Sequence, residues 1–231
     1  MKTAIMQPYL FPYLGYFQLV HSVDLFVCCD NMQYTKKGWI NRNRYLNHHK
    51  TDTFTLPLKD APQKNHIVER EIAPGFEGEK LLSVFEHSYR KSPCFSENFG
   101  VIREILLSTE RNLFAFLESS IQKICGHLGI KTTFGRTSQI PIDHTKQKEE
   151  KVIEMCRALN TSTYINSSGG RELYSKENFK NHGITLGFLV PHPFEYRQFQ
   201  EPFTPWLSIV DVLMFNPVER IRRQLNHYEI E

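Results

Sequence analysis

The chain lacks most of the features that would announce a function outright. It has no strong charge of one sign: 28 Lys and Arg stand against 25 Asp and Glu among 231 residues, a formal +3 with His neutral. That balance is too slight for a dedicated nucleic-acid protein, although local basic patches still count. Cysteine is scarce, odd in number at five, and without regular spacing. A disulfide framework is thereby excluded, and a reducing compartment is expected. No apolar run approaches the roughly eighteen residues of a membrane span. No C-x-x-C, G-x-S-x-G, phosphate-loop pattern or spaced G-x-G-x-x-G occurs, so zinc-ribbon, serine-hydrolase and common nucleotide-loop chemistries have no foothold. The N-terminal MKTAIMQPYLFPYLGYFQLV is apolar, but Gln7, Pro8 and Pro12 interrupt it and no small-residue cleavage site follows. It reads as mature protein, and the expected location is cytoplasmic.

What is present suits a folded core: hydrophobic residues make up 40% and charged residues 23%, far from a disordered composition. Lys2 to Gln7 reads as a strand closed by Pro8, Leu14 to His21 as a helix, and Asp24 to Cys29 (DLFVCC) as a buried strand. Strand, helix and strand in this order make a βαβ unit with a parallel sheet. Arg42 to His48 and Thr51 to Leu58 read as strands about a turn at 47–50, and His66 to Ile72 as another. Phe76 to Lys91 is expected to be helical. A helical period runs from Phe99 through Leu106 and Leu113 to Leu128, ending at Gly129. Lys148 to Leu159 is a further helix. Thr163 to Ile165, a helix near Ser175 to Asn181, and the strand Gly183 to Val190 form a second β–loop–α–β unit. Leu207 to Phe215 and Pro217 to His227 close the chain as helices. The expected architecture is α/β: one domain over 1–231, a partly parallel, Rossmann-like sheet flanked by helices, and a helical middle segment.

Three segments carry chemistry-bearing residues. Gln7 to Phe17 packs Tyr9, Phe11, Tyr13, Tyr16 and Phe17 beside two prolines. At the carboxyl end of a first strand, where α/β sheets bind ligands, such rings suit stacking on a sugar or base; the same rings would also cover a core edge. Asp30 to Arg44 (DNMQYTKKGWINRNR) follows the second strand. No acidic residue separates Asp30 from Asp52, while Lys36, Lys37, Arg42, Arg44 and Lys50 are interleaved with Tyr34, Trp39 and Tyr45. With the amides Gln33, Asn41 and Asn43, this suits a phosphorylated, base-bearing molecule, single-stranded RNA, or merely a solvated basic face. Tyr164 to Leu173 (YINSSGGREL) places Asn166, Ser168, Gly169 and Gly170 between a strand and a helix, where backbone N–H groups can meet an anion or simply turn. Asp143-His144 is a possible acid–base pair, and Cys28 and Cys29 read as buried, inert thiols.

Taken in order, MQPYLFPYLGYFQLV, DLFVCCDNMQYTKKGWINRNR, YINSSGGRELY and LSIVDVLMFN resemble the WbqC-like protein family across Met6 to Asn216. Members of that family tend to be encoded among bacterial O-antigen and other surface-polysaccharide functions, and a glycine (aminoacyl) transferase role toward an amino sugar has been suggested. The resemblance therefore implies acyl or aminoacyl transfer to a nucleotide-linked amino sugar. Asp30 would orient or deprotonate the amine, and Asn41 would serve an oxyanion or a sugar hydroxyl, as would Asn43. Lys37, Arg42 and Arg44 would hold a diphosphate, and Trp39 or Tyr9 would stack. Gln7, Tyr13, Gln33, Asn166, Ser168, Gly169 and Gly170 would complete the substrate site. The family pattern has two acidic residues where this chain has Asp30-Asn31, which counts against a metal held by both; no metal is expected. No residue pattern names a cofactor or the acyl donor. A fainter similarity to the nucleotidyltransferase and pantothenate-synthetase type of α/β fold supports the fold alone, because FPYLGY lacks their H-x-G-H-like histidines. Two other classes stand beside the enzyme: a non-catalytic binder of nucleotide sugars or glycans, and an RNA binder, which the small net charge disfavours.

Overall fold

The run LFVCC, 25–29, is apolar throughout because both faces of its strand are covered. The computed structural model describes residues 1–36, 38–47, 50–199 and 201–231. In it, β1 (Lys2–Met6) and β2 (Leu25–Cys28) pair in parallel around α1 (Leu14–His21). Phe26 and Cys28 face one core together with Ala4, while Val27 and Cys29 face the other together with Ile5. A parallel sheet sandwiched between helices loses the polar alternation of a half-exposed one.

The sheet has six strands in the order β5-β2-β1-β6-β7-β8, with β5 (Thr133–Arg136), β6 (Thr163–Ser167), β7 (Thr185–Pro191) and β8 (Tyr228–Ile230). All neighbours are parallel except β7 and β8. From β1 the chain moves outward to β2 and β5, then returns to the other side of β1 for β6 and β7. The crevice between β1 and β6 is thus a topological switch point. On one face lie α1, α4 (Leu113–Leu128) and α7 (Ile209–Phe215), burying Phe17, Leu117 and Leu213. On the other lie α5 (Lys148–Ala158) and α6 (Lys176–Asn181), burying Ile153 and Phe179. The α/β class and the mostly parallel sheet flanked by helices are as expected from the sequence.

A separate hairpin, β3 (Arg42–Asn47) and β4 (Lys50–Thr55), packs against α2 (Gly78–Tyr89). Phe54 and Phe85 meet edge to face at 5.0 Å and 88°, and truncating such a buried ring costs about 3–5 kcal/mol. The expected turn at His48-His49 lies outside the described residues. A last helix, α8 (Val218–Gln224), precedes β8.

Two expectations need correction, and two strands went unread. The helical period from Phe99 to Leu128 is two helices, α3 (Phe95–Leu106) and α4, broken at 107–112. Asn112 caps α4 by accepting from the Ala115 N–H at 3.0 Å. The pair runs antiparallel, since His127 meets Asn98 and Lys123 meets Glu104. His66 to Ile72 is not a strand but a 3-10 turn over Ile67–Glu69, closed by the Glu69 carboxylate accepting from the His66 N–H at 2.6 Å. Two edge strands, β5 and β8, carried no apolar signal: β5 has one half-buried ring, Phe134, and the two residues after Tyr228 in β8 are exposed.

Candidate functional site

Beyond the carboxyl ends of β1, β2 and β6 the sheet opens into a cleft of about 820 Å³. Its position at the switch point is where open α/β sheets bind ligands. The segment after β1 contributes Gln7 and Tyr9, and the segment after β2 contributes Asn31, Met32 and Gln33. His144 to Lys148, with Lys151 of α5, form another wall. Asn166, Ser167, Gly169, Gly170 and Tyr174 complete it. Among the described residues, no Asp or Glu side chain lines this space, while three lysines do. Lys146 is held by Glu150 at 2.7 Å and Glu154 at 2.6 Å. Lys151 donates to the His144 carbonyl at 3.1 Å, and Lys148 makes no ion pair among the described residues. The cleft therefore favours an anion.

One thiol and two phenols of the cleft stay protonated at neutral pH. Burial pushes the Cys29 thiol up to about 12. Burial also raises the Tyr9 phenol, with smaller contributions from Cys29 and Tyr13, and it raises Tyr174. The thiol is thus no thiolate nucleophile, and both phenols are hydrogen-bond donors.

Asp30 sits behind this wall. It is buried and its carboxylate accepts from the Thr137 hydroxyl (2.8 Å), the Ser138 N–H (2.9 Å), the Ser138 hydroxyl and the Asn31 N–H (3.0 Å). Burial by itself raises the carboxyl, but the Ser138 and Thr137 bonds outweigh it and hold the pKa below the ordinary value. The Thr137 hydroxyl also lies 2.7 Å from the Asn31 Oδ1, so one proton serves two acceptors. Asn31 Nδ2 in turn lies 3.0 Å from His144 Nδ1, and His144 Nε2 lies 3.0 Å from the Ile140 carbonyl. A carbonyl only accepts, so the ring proton is on Nε2 and Nδ1 accepts from Asn31. Asp30, Thr137, Asn31 and His144 form one chain from the protein interior to the cleft.

Of the residues expected to bind substrate, Gln7, Tyr9, Gln33, Asn166, Gly169 and Gly170 line the cleft. Ser168 opens the 3-10 segment Ser168–Leu173 that carries the two glycines. Gly170 lies so close to Asn166 that a Cβ would be 2.5 Å from the amide nitrogen. Asn41 and Asn43 are placed differently. Asn41 accepts from the Tyr34 hydroxyl and donates to the Leu56 carbonyl, both at 2.8 Å. Asn43 donates to the carbonyls of Leu10 (3.1 Å) and Phe11 (2.8 Å) and accepts from the Arg44 N–H (2.8 Å). Buried Phe11 has φ +44°, a conformation that bulky L-residues resist, and Asn43 is the clamp that holds it. Trp39 is 45% exposed, with the Arg42 and Arg44 guanidiniums each 5.6 Å from its ring. Tyr13 lines a different groove, beside Trp206. Lys37 lies outside the described residues.

Sequence reasoning missed Asn31 and the three lysines. No periodicity marks the lysines, because the crossover from β5 through α5 to β6 brings them to Gln7 from more than a hundred residues away. His144 was visible only as half of an Asp-His pair, and Asp143 turns away to accept from the Thr145 N–H and hydroxyl.

The model of the WbqC-like protein family matches residues 7–223. The chain belongs to the WbqC-like protein family. Within the span of that match fall both the cleft and the Asp30 chain. The uncharacterized protein Rv1507c of Mycobacterium tuberculosis is 27% identical over 218 residues, covering 93% of each chain. No solved structure matches the chain. Among the described residues, no helix is long and apolar enough to cross a membrane.

Proposed function

We propose that this WbqC-like protein is a cytoplasmic transferase of bacterial O-antigen or other surface-polysaccharide synthesis, moving an acyl or aminoacyl group to the amine of a nucleotide-linked amino sugar. The observation that carries this reading is the switch-point cleft, with lysines, amides and rings on its walls and no described carboxylate. A sugar nucleotide presents a diphosphate, hydroxyls and a flat base to such walls. In this reading Lys148 and Lys151 take the diphosphate, and the N–H groups of Ser168 to Gly170 take a further oxyanion. Gln7, Gln33 and Asn166 bond the hydroxyls, and Tyr9 flanks the ring. The amine nitrogen attacks the donor's carbonyl carbon, a C–N bond forms, the leaving group departs with its electron pair, and the amine sheds one proton. His144 Nδ1 accepts that proton once the Asn31 amide turns to the ligand. Asp30 is then a positioning residue that holds Thr137 and Asn31.

A thermal-shift series with UDP-, dTDP- and GDP-linked amino sugars tests the reading. A ligand at a hundred times its Kd adds about 2.7 kcal/mol, or roughly 5–11 °C for a chain of this size. Lys148→Ala and Lys151→Ala are expected to weaken binding about tenfold each, and His144→Gln to spare binding but lose transfer. No shift with any amino-sugar nucleotide refutes the reading. The absence of a described carboxylate or thiolate in the cleft favours one second reading, a non-catalytic carrier of the same ligand; saturable binding without turnover under any acyl donor would select it.

A further inference from the structure

A second cavity, of about 280 Å³, lies on the other side of the loop between β1 and α1. The loop divides the two spaces: Gln7 and Tyr9 face the cleft, and Tyr13 faces this groove. Its walls are Tyr13, Phe194, Tyr196, Phe203 and Trp206, with prolines between them. Tyr13 and Trp206 meet edge to face at 5.7 Å and 65°. Gly15 seats the Tyr13 ring, since a Cβ there would come within 2.4 Å of it.

Two features mark the groove as more than an apolar crease. Trp206 is 62% exposed, yet its φ is +61°. A bulky residue in the left-handed region is strained, and such strain gathers at binding sites. Arg44 holds it there by donating to the Trp206 carbonyl at 3.1 Å. The second feature is Gln18, 2% exposed and part of the groove wall. Its Nε2 donates to the carbonyls of Gln224 (2.7 Å) and His227 (3.0 Å), which fixes the amide's orientation. Its Oε1 is buried with no partner. A buried acceptor without a donor is costly, and a ligand that brings an O–H or N–H removes the cost.

From these observations we propose that the groove is a binding site for one neutral pyranose ring. The axial C–H groups of a pyranose carry partial positive charge and fit the negative faces of Trp206 and Tyr13. A hydroxyl, or the N–H of an acetamido group, donates to Gln18 Oε1. The carboxylate of exposed Glu195, which makes no hydrogen bond or ion pair among the described residues, accepts from further hydroxyls at the rim. A nucleobase fits less well, because its edges mix donors with acceptors and Gln18 offers only an acceptor. A phosphate is disfavoured by Glu195 and by the absence of Lys or Arg from the lining among the described residues. A cavity of about 150 Å³ accepts benzene, so this one has room for one substituted ring and no more. The site stands independently of the function proposed for the cleft.

The test titrates the full chain with methyl glycosides of glucose, galactose and N-acetylglucosamine, read by saturation-transfer NMR and by tryptophan fluorescence of a Trp39→Phe variant, in which Trp206 is the sole indole. At least one glycoside is expected to saturate and to change the Trp206 emission. Trp206→Ala and Tyr13→Ala should each raise its Kd about tenfold, with unchanged circular dichroism, and Gly15→Ala should do the same by displacing the Tyr13 ring. Saturating UDP-sugar and the Lys151→Ala variant should leave the glycoside Kd unaltered, whatever the fate of the cleft proposal. No saturable glycoside binding, binding that survives loss of both rings, or competition by UDP-sugar each overturns the proposal. So does a proline-rich peptide that occupies the groove when the glycosides do not.

Discussion

Asp211 has no exposed surface, and three donors converge on its carboxylate. The Tyr89 hydroxyl reaches Oδ1 at 3.0 Å, while the Tyr196 hydroxyl (2.7 Å) and Gln198 Nε2 (2.8 Å) reach Oδ2. Tyr89 also accepts from the Leu46 N–H at 2.8 Å, and Gln198 accepts from the Thr204 N–H at 2.8 Å. One carboxylate thereby ties α7 to α2, to β3 and to the segment that builds the Trp206 groove. Asp211→Ala strands three buried donors, and breaking a buried charged network of this kind costs about 3–5 kcal/mol. That is roughly 6–20 °C of Tm for a chain of this length. Asp211→Asn keeps the shape and the acceptor for Tyr196 and Gln198, leaving one hydroxyl without its acceptor, so about 1–2 kcal/mol is expected. Urea unfolding with matched m-values measures both. An alanine variant that loses less than about 1 kcal/mol, or an asparagine variant as impaired as alanine, refutes the reasoning.

The same residue has a pH signature of known sign. Burial raises the Asp211 carboxyl above its ordinary value, and the bonds from Tyr196, Gln198 and Tyr89 offset this only in part. Between the unfolded and the native pKa the folded chain holds a proton that the unfolded chain has lost. Stability therefore falls as pH rises through that window and is flat above it. Asparagine has no such slope, so the deficit of Asp211→Asn should shrink as pH rises from below the ordinary aspartate pKa to neutrality.

Asp30 has the opposite sign. Its carboxyl is held down, so its contribution is present above the unfolded pKa and is lost as pH falls through the native one. Asp30→Asn should cost about 2–4 kcal/mol at neutral pH, a deficit that urea midpoints should show vanishing in acid. Cys29, Cys125 and Cys156 are pushed up to about 12 by burial, burial also holds Cys28 well above the ordinary thiol value, and Cys94 alone is partly exposed. A disulfide reagent should therefore titrate one thiol promptly in the native chain and five in urea; a second fast thiol would contradict this burial pattern. Asn43→Ala should destabilise by about 2 kcal/mol by releasing the Leu10 and Phe11 carbonyls, with raised hydrogen exchange confined first to residues 8–13. Uniform exchange across the chain would count against a local clamp.

How far the sequence could be read depends on what each signal measures. The strands β2 and β7 were legible because double-sided burial demands apolar runs, and β5 was not because an edge strand buries little. The break between α3 and α4 was hidden because Leu106 and Leu113 are seven residues apart, two helical turns, so the apolar period continues in phase across it. The polar gap at 108–112, with Asn112 as a capping residue, was the available sign. The β1–α1 loop and the segment after β2 both supply residues to the cleft, yet the roles within them were not readable. Amides at Asn41 and Asn43 look alike whether they bond a ligand or a distant loop's carbonyls. Only the partner distinguishes them, and for Asn43 the partners are more than thirty residues away.

The two segments that drew attention by their composition turn out to depend on each other. Asn43 clamps Leu10 and Phe11, Arg44 holds the Trp206 carbonyl, and the Ile40 carbonyl accepts from the Leu10 N–H at 2.9 Å. The basic stretch after β2 thus acts as scaffold for the aromatic loop after β1. That loop is the wall between the cleft and the Trp206 groove, with Tyr9 on one side and Tyr13 on the other. A shift of the wall by one side chain would change both spaces at once. Substitutions in the clamp are therefore expected to alter ligand binding on both sides, whereas Lys151 and Trp206 variants should each alter only one.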